Sequence, residues 1–152
     1  MAVDIRQTRL GILLQKLANV DNNTIWTAVF SREDFQTWIL DLIRQDQLFD
    51  QGIDGNNQVI GYYSASTQKR KPEKKEGTPY TLYDTGDFYN SFTIVVMPNI
   101  LEIDADPVKQ GANLFVKYGE DIIKLTDENM ERLRAEVIQR YYVEITALLL
   151  VY

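Results

Sequence analysis

The chain contains no cysteine and no histidine. Without cysteine there are no disulfides, no thiolate nucleophile and no Cys-based zinc site. Without histidine there are no Ser-His or Cys-His dyads, no imidazole ligands and no general base of the usual kind near neutral pH. Any catalysis would have to run on carboxylates, Lys, Tyr or backbone groups. The expectation is therefore a protein that is not an enzyme, with no catalytic residue, no cofactor and no metal. Long apolar runs are missing too. The longest, Ala147 to Tyr152, falls far below the ~20 residues that a bilayer span requires. Met1-Ala2-Val3-Asp4 lacks the basic and then apolar opening of a signal peptide. A soluble protein made inside the cell, with no membrane contact, is expected. Basic charge is outweighed as well. A net charge of −6 argues against a general nucleic-acid binder, which needs basic surface to meet phosphates.

What is present fits one domain spanning residues 1–152, large enough to bury a core without staples. Ile5, Leu10, Leu13, Leu14 and Leu17 form a helical stripe interrupted by Gly11, and the polar stretch Asn19 to Thr24 reads as the turn that ends it. Ser31 stands where an N-cap belongs, with Glu33 and Asp34 behind it to meet the helix dipole. Phe35, Trp38, Ile39, Leu42 and Ile43 then share one helical face, and Gly52 is the natural stop. Val59 to Tyr63 reads as a short strand. The segment "STQKRKPEKKEGTP" after it holds five basic side chains, two acidic ones, two prolines and no apolar residue. Residues 50–81 are accordingly expected to form a long projecting arm.

Beyond the arm the period changes. Thr93 to Met97 and Ile100 to Ala105 are β-branched runs around Pro98-Asn99, the pattern of a β-hairpin. Leu114 to Tyr118 reads as a further strand, and Ile122 to Leu125 as a short strand or a lead-in. Thr126, followed by Asp127 and Glu128, caps a final helix. Met130, Leu133, Val137, Tyr141, Ile145, Leu148 and Tyr152 mark its apolar face. From Thr126 to Leu150 this helix would measure about 37 Å at 1.5 Å per residue. The order implies an α+β fold: an antiparallel sheet built on a hairpin, packed against N-terminal helices and one long C-terminal helix.

Three stretches look like chemistry. Asp84-Thr85-Gly86 matches the triplet of an aspartic protease, whose two carboxylates share one proton, so a single triplet would demand a homodimer. The alternative is a cap. Asp84 or Thr85 starts a helical turn, Asp87 favours its dipole, and Phe88 and Phe92 at i and i+4 enter the core. Ser66-Thr67-Gln68-Lys69 matches S-x-x-K without the partner motifs that pattern requires. Asp50 to Gly61 has calcium-loop lettering with Gly61 where the bidentate Glu belongs. The cluster Lys69, Arg70, Lys71, Lys74 and Lys75 is either a solvated loop or a contact for phosphate backbone or an acidic protein patch. Tyr62, Tyr63, Tyr80 and Tyr83 flank it. Tyr141 and Tyr142 are consecutive, so one of them faces away from the helix's own stripe. Tyr62, Tyr63, Tyr141 and Tyr142 are the candidate subunit contacts.

In "GTPYTLYDTGDFYNSFTIVV" the residues Leu82, Thr85, Gly86, Phe88 and Ser91 stand in the order found in the neck and tail-completion proteins of tailed bacteriophages, the virion-morphogenesis family. The sequence resembles that family from about Phe35 to Tyr142, and its wording is most similar to members from phages of Bacteroidetes hosts. Many members carry a Pro-Arg-Pro-Phe-like stretch before the last helix, where this chain has "DIIKLTDENM". Neck ring, tail terminator and a more distant relative therefore all stay open. The resemblance implies a structural virion protein, made in the bacterial host cytoplasm. It implies a homo-oligomeric ring of six subunits joining the portal or adaptor to the tail and letting double-stranded DNA pass. The Thr-Gly motif, with Asp84 and Phe92, would lock the arm to the hairpin. A small acidic domain that binds nucleic acid through its basic loop is the alternative from another class, and the homodimeric protease a third.

Overall fold

The structure, a computed structural model, describes residues 8–151; Ile5 and Tyr152, two expected stripe residues, lie outside them. Helix α1 (Arg9–Ala18) starts at Thr8, whose hydroxyl accepts from the Gly11 amide. The polar stretch after it is not merely a turn. Asp21 accepts from the Asn23 and Thr24 amides and opens helix α2 (Asn22–Phe30). A cap and a turn use the same Asx hydrogen bonds, which is why composition alone read this stretch as a loop. Ser31 closes α2 instead of opening the next helix. Helix α3 (Glu33–Asp41) starts from Arg32 with no side-chain cap, and Glu33 and Asp34 serve its dipole. Gln36 donates to the Phe30 carbonyl at 2.8 Å and so satisfies one end group of α2.

The expected apolar face of α3 forms. Phe35, Ile39, Leu42 and Ile43 are buried, and Trp38 is half-buried against them. Ring centroids follow one another from Trp26 to Phe30 at 4.3 Å, to Phe35 at 5.5 Å and to Trp38 at 5.7 Å. The guanidinium of Arg140 covers Phe35 at 4.2 Å, a cation–π contact across to the last helix. After Asp41 the helix widens into a π-helical segment, Leu42–Gln51, which Gly52 ends with φ +65°. Glycine is required there. A Cβ on Gly52 would stand 2.4 Å from Pro79 Cβ and 2.7 Å from the Tyr80 carbonyl oxygen.

The π segment places Gln47 in the interior, fully buried. Its amide nitrogen donates to the Lys124 carbonyl at 2.9 Å, and its oxygen accepts from the Thr126 amide and from Asn129 Nδ2, both at 2.9 Å. Asn129 also donates to the Leu42 carbonyl at 3.0 Å and accepts from Arg132 at 2.9 Å. One side chain thereby ties the π segment to the start of the final helix, α7 (Asp127–Leu150), which Thr126 caps as expected by accepting from the Asn129 amide.

Residues 52–81 leave the body as a loop, and the strand expected from Val59 to Tyr63 does not form. Asp54 accepts from the Asn56 and Gln58 amides, each at 2.9 Å, so its carboxylate closes a turn. Ile53–Val59 and Tyr62–Pro79 make isolated bridges only. Ser64 caps a short helix, α4 (Ala65–Arg70). The chain then returns on itself. Tyr63 and Thr78 bond at 2.9 Å, as do Gly77 and Tyr63, while Tyr80 donates to the Gly61 carbonyl at 2.8 Å. The base of the excursion is zipped, because backbone polar groups that leave water must find partners. Charge and proline content could not reveal which partners these would be.

Helix α5 (Asp87–Asn90) precedes strands β1 (Thr93–Met97) and β2 (Ile100–Asp104), which pair around Pro98-Asn99 as expected, with Asn99 at φ +57°. Ile94 pairs with Ile103 and Val96 with Leu101 in this register, and these four pack against the core. A second small hairpin joins β3 (Val108–Lys109) to β4 (Ala112–Asn113). Leu114 to Tyr118 is not a strand. Asn113 accepts from the Phe115 and Val116 amides and starts helix α6 (Leu114–Tyr118). The run Ile122 to Leu125 is likewise no strand, since Glu120–Ile123 forms a 3₁₀ turn. In both stretches the local chain turns before apolar alternation can act.

The fold class is α+β, with the long C-terminal helix lying against α2 and α1. Two apolar clusters form the core. One gathers Leu48, Phe88, Tyr89, Phe92 and Ile122, and the other gathers Ile25, Val29, Phe35, Ile39 and Leu133; Ile94, Ile103 and Leu125 touch both. Gln47→Leu removes the donor to the Lys124 carbonyl, the acceptor of the Thr126 amide and one of the partners of Asn129. We expect it to cost roughly 2–4 kcal/mol in urea unfolding, the penalty of buried polar groups left unpaired. An unchanged midpoint would refute this role for the amide.

Candidate assembly surfaces

The Thr-Gly motif folds as a tight corner. Leu82 is buried with φ +56°, a left-handed conformation that is strained for a bulky residue. Its carbonyl accepts from Lys109 at 3.2 Å. Phe88 and Phe92 are buried with centroids 5.1 Å apart, as their spacing requires. Ser91 donates to the Phe88 carbonyl at 2.7 Å and accepts from the Asp106 amide at 3.0 Å, which fastens α5 to the exit of β2. Tyr89, next to Phe88, gives its hydroxyl to the Thr81 carbonyl, and burial pushes its phenol far up.

The expected cap is corrected. Gly86, at φ +90°, is the N-cap of α5, and no side chain caps it. Thr85 donates to Asp87 at 2.6 Å and takes only a long 3.4 Å bond from the Asp87 amide. Asp84 turns the other way. It pairs with Lys71, with Lys74 at 3.4 Å, and accepts from Gln110 at 3.3 Å. The hydrogen bond from Lys71 leads the causes that lower its pKa to about 2, ahead of the opposing burial and the charge of Lys74. The lock between the excursion and the hairpin region is thus an ion pair rather than a helix cap. Asp84 borders a cleft of about 440 Å³ with Tyr63, Tyr83 and Lys74.

The basic cluster divides. Lys71 and Lys74 turn inward to Asp84, whereas Lys69, Arg70 and Lys75 are exposed. The tyrosines divide as well. Tyr63 is buried against Tyr80 at 4.9 Å and bonded to Thr81, so it is a packing residue rather than a presented contact. Tyr62 stays exposed. Tyr141 packs on the helix's own core while Tyr142 is 71% exposed, the split expected for consecutive helical residues.

Two surfaces were missed by sequence reasoning. Trp26, Phe30, Leu101, Ile103, Met130 and Val137 border an open apolar groove of about 520 Å³ beside Ile138. Trp26 Nε1 is buried there without a hydrogen-bond partner among the described residues. The second surface is the stripe on α1, where Leu10, Leu14 and Leu17 are exposed and Leu13 is half-buried; Ile12 is exposed on another face of the helix. It lies near the end of α7, since Lys16 donates to the Val151 carbonyl. Val143, Leu148, Leu150 and Val151 of that end are exposed too. The helical stripe was legible in the sequence; that the described residues leave it uncovered was not. Compared with protein-family models, curated proteins and solved structures, the chain matches none of them.

Two outcomes test the corner. Asp84→Asn is expected to lower stability by roughly 1–2 kcal/mol at neutral pH. The folded carboxyl titrates at about 2 against an ordinary 3.8, so the contribution is whole above about pH 5 and fades as pH falls towards 2. The gap between the parent and variant urea midpoints therefore narrows on acidification; a constant gap would contradict the ion-pair account. Gly86→Val forces a β-branched residue to positive φ and is expected to cost at least about 1–2 kcal/mol. A melting temperature equal to the parent's would show that the corner tolerates another backbone path.

Proposed function

We propose that this chain is a structural subunit of a tailed-phage head–tail junction, a neck or tail-completion ring that joins portal or adaptor to tail. The observation that carries the reading is the pair of uncovered apolar surfaces, the α2–hairpin–α7 groove and the α1 stripe. They are separated along α7: Ile138 and Val151 are 13 residues apart, about 20 Å at 1.5 Å per residue. Contiguous apolar surface of this kind marks protein association sites. Two different surfaces on one chain favour head-to-tail contact, in which the stripe of one copy meets the groove of the next, and such contacts form a ring when the rotation between copies closes.

The resemblance of Leu82, Thr85, Gly86, Phe88 and Ser91 to the virion-morphogenesis motif supports the phage assignment and a ring of six. In this reading the subunit has no active site, is made in the bacterial host cytoplasm, and ends at the head–tail interface. The acidic body lets DNA pass without adhering, by like-charge repulsion. No described helix is long and apolar enough to cross a membrane. The protease reading is weakened by the charge state of Asp84. A shared-proton dyad needs a carboxyl that holds its proton, and Lys71 favours the opposite. The basic-loop reading loses Lys71 and Lys74 to Asp84.

Light scattering and negative-stain imaging of the full chain test the assembly. The parent is expected to form closed rings. Ile138→Glu in the groove and Leu14→Glu on the stripe are each expected to abolish them while leaving the melting temperature nearly unchanged, because both side chains are exposed in the single chain. Each loses roughly 1.5–3 kcal/mol of apolar burial per contact and introduces a charge. Mixed in equal amounts, the two variants retain one intact stripe and one intact groove, so dimers should appear. A parent that stays monomeric at high concentration, or variants that assemble as the parent does, would overturn the reading.

A further inference from the structure

On the excursion side of the corner lies a pocket of about 240 Å³ whose lining includes Lys74, Lys109, Lys117, Thr67, Tyr80 and Tyr118. The three lysines arrive from three separate elements: Lys74 from the excursion, Lys109 from β3 and Lys117 from α6. We propose that this pocket is a phosphate-binding site, in which the three ammonium groups surround one phosphate group against the tyrosine walls.

The local charge balance leads to this. Asp84 is a single carboxylate, and it already takes both Lys71 and Lys74. Lys109 is half-buried beside them, and Lys117 lies over the Tyr118 ring at 5.0 Å. Three cations, Lys71, Lys74 and Lys109, act on Asp84, with Asp87 the further acidic group that acts on Lys109 and Lys117 a fourth cation lining the same pocket. A positive surplus is therefore gathered at one place in a chain whose total charge is −6. Like charges brought together are costly unless an anion joins them. Burial is the largest influence lowering the Lys109 pKa, and Lys74 and Lys71 push the same way against the pull of Asp84.

The donors are also there. An ammonium has three N–H bonds to give. Lys109 directs one to the Leu82 carbonyl at 3.2 Å, its sole hydrogen-bond acceptor among the described residues. Lys74 reaches Asp84 only at 3.4 Å and lies 5.5 Å from the Tyr63 ring centroid. Donors brought by three elements suit a tetrahedral, multiply charged oxyanion better than a planar carboxylate, and Asp84 does not line the pocket. The pocket does not depend on ring assembly, and its lysines are not those of the exposed group Lys69, Arg70 and Lys75.

Phosphate can arrive free or as part of a DNA backbone, and two probes separate the sources. Inorganic phosphate and a short DNA duplex are titrated into the full chain at low salt, with Lys ¹³C–¹⁵N NMR shifts and calorimetry as readouts. Lys109 and Lys117 resonances are expected to move with at least one probe. Lys109→Gln with Lys117→Gln should weaken that binding at least tenfold, while Lys69→Gln, Arg70→Gln and Lys75→Gln together change it less than threefold. Single Lys117→Gln is the second variant, because Lys117 is exposed and its loss leaves the fold intact. Response to the duplex alone, falling steeply with salt, assigns the seat to backbone phosphate; response to inorganic phosphate assigns it to a free phosphate group. No shift with either probe, or equal binding by the Lys117→Gln variant and the parent, overturns the proposal.

Discussion

Gln47 sits in a π-helical stretch, fully enclosed, and both ends of its amide are bonded to a segment more than seventy residues away. An uncharged amide in an apolar interior is tolerable only when its donor and acceptor are met. Here they are met by Lys124, Thr126 and Asn129, the residues that turn the chain into α7. The direction of the long helix follows from that constraint. Since α7 supplies one wall of the groove and runs on to the end near α1, the position of both uncovered surfaces follows as well. The wide π turn is what brings the side chain inward, in keeping with the tendency of such segments to fall where a fold needs an unusual projection.

The second constraint is electrostatic. Asp84 gathers Lys71 and Lys74 from a segment that is otherwise polar and exposed. Without apolar residues that segment has no hydrophobic reason to lie on the body. An ion pair, a zipped backbone base and the Tyr63–Tyr80 contact hold it there instead. The corner between them is strained at Leu82 and needs positive φ at Gly86. Rigid corners of this kind store strain that the surrounding packing must offset, here from Phe88, Tyr89 and Phe92. The same convergence leaves the surplus of ammonium groups in the neighbouring pocket.

Two kinds of surface therefore meet on one small chain. The groove and the α1 stripe are apolar and fit association with further copies, and the lysine pocket is polar and fits an anion. Neither depends on the other.

Much of the fold was legible because it is written in short-range spacing. The stripe Phe35, Ile39, Leu42 and Ile43, the stop at Gly52, the hairpin around Pro98-Asn99 and the Thr126 cap each depend on residues within a turn or two of one another. Phe88 and Phe92 entered the core for the same reason. Where two local structures use the same residues, the reading failed: Asp21 and Asn113 begin helices, whereas the chain around them reads as a turn and a strand. The sequence by itself thus determined the class of fold and the apolar faces of its main helices. Tertiary structure alone decided that Gln47 would be buried, that Asp84 would take Lys71 and Lys74 instead of capping α5, and that the stripe on α1 would stay uncovered. Those outcomes rest on which distant groups come within bonding distance, and a carboxylate, an amide or a leucine has the same letter whatever it meets.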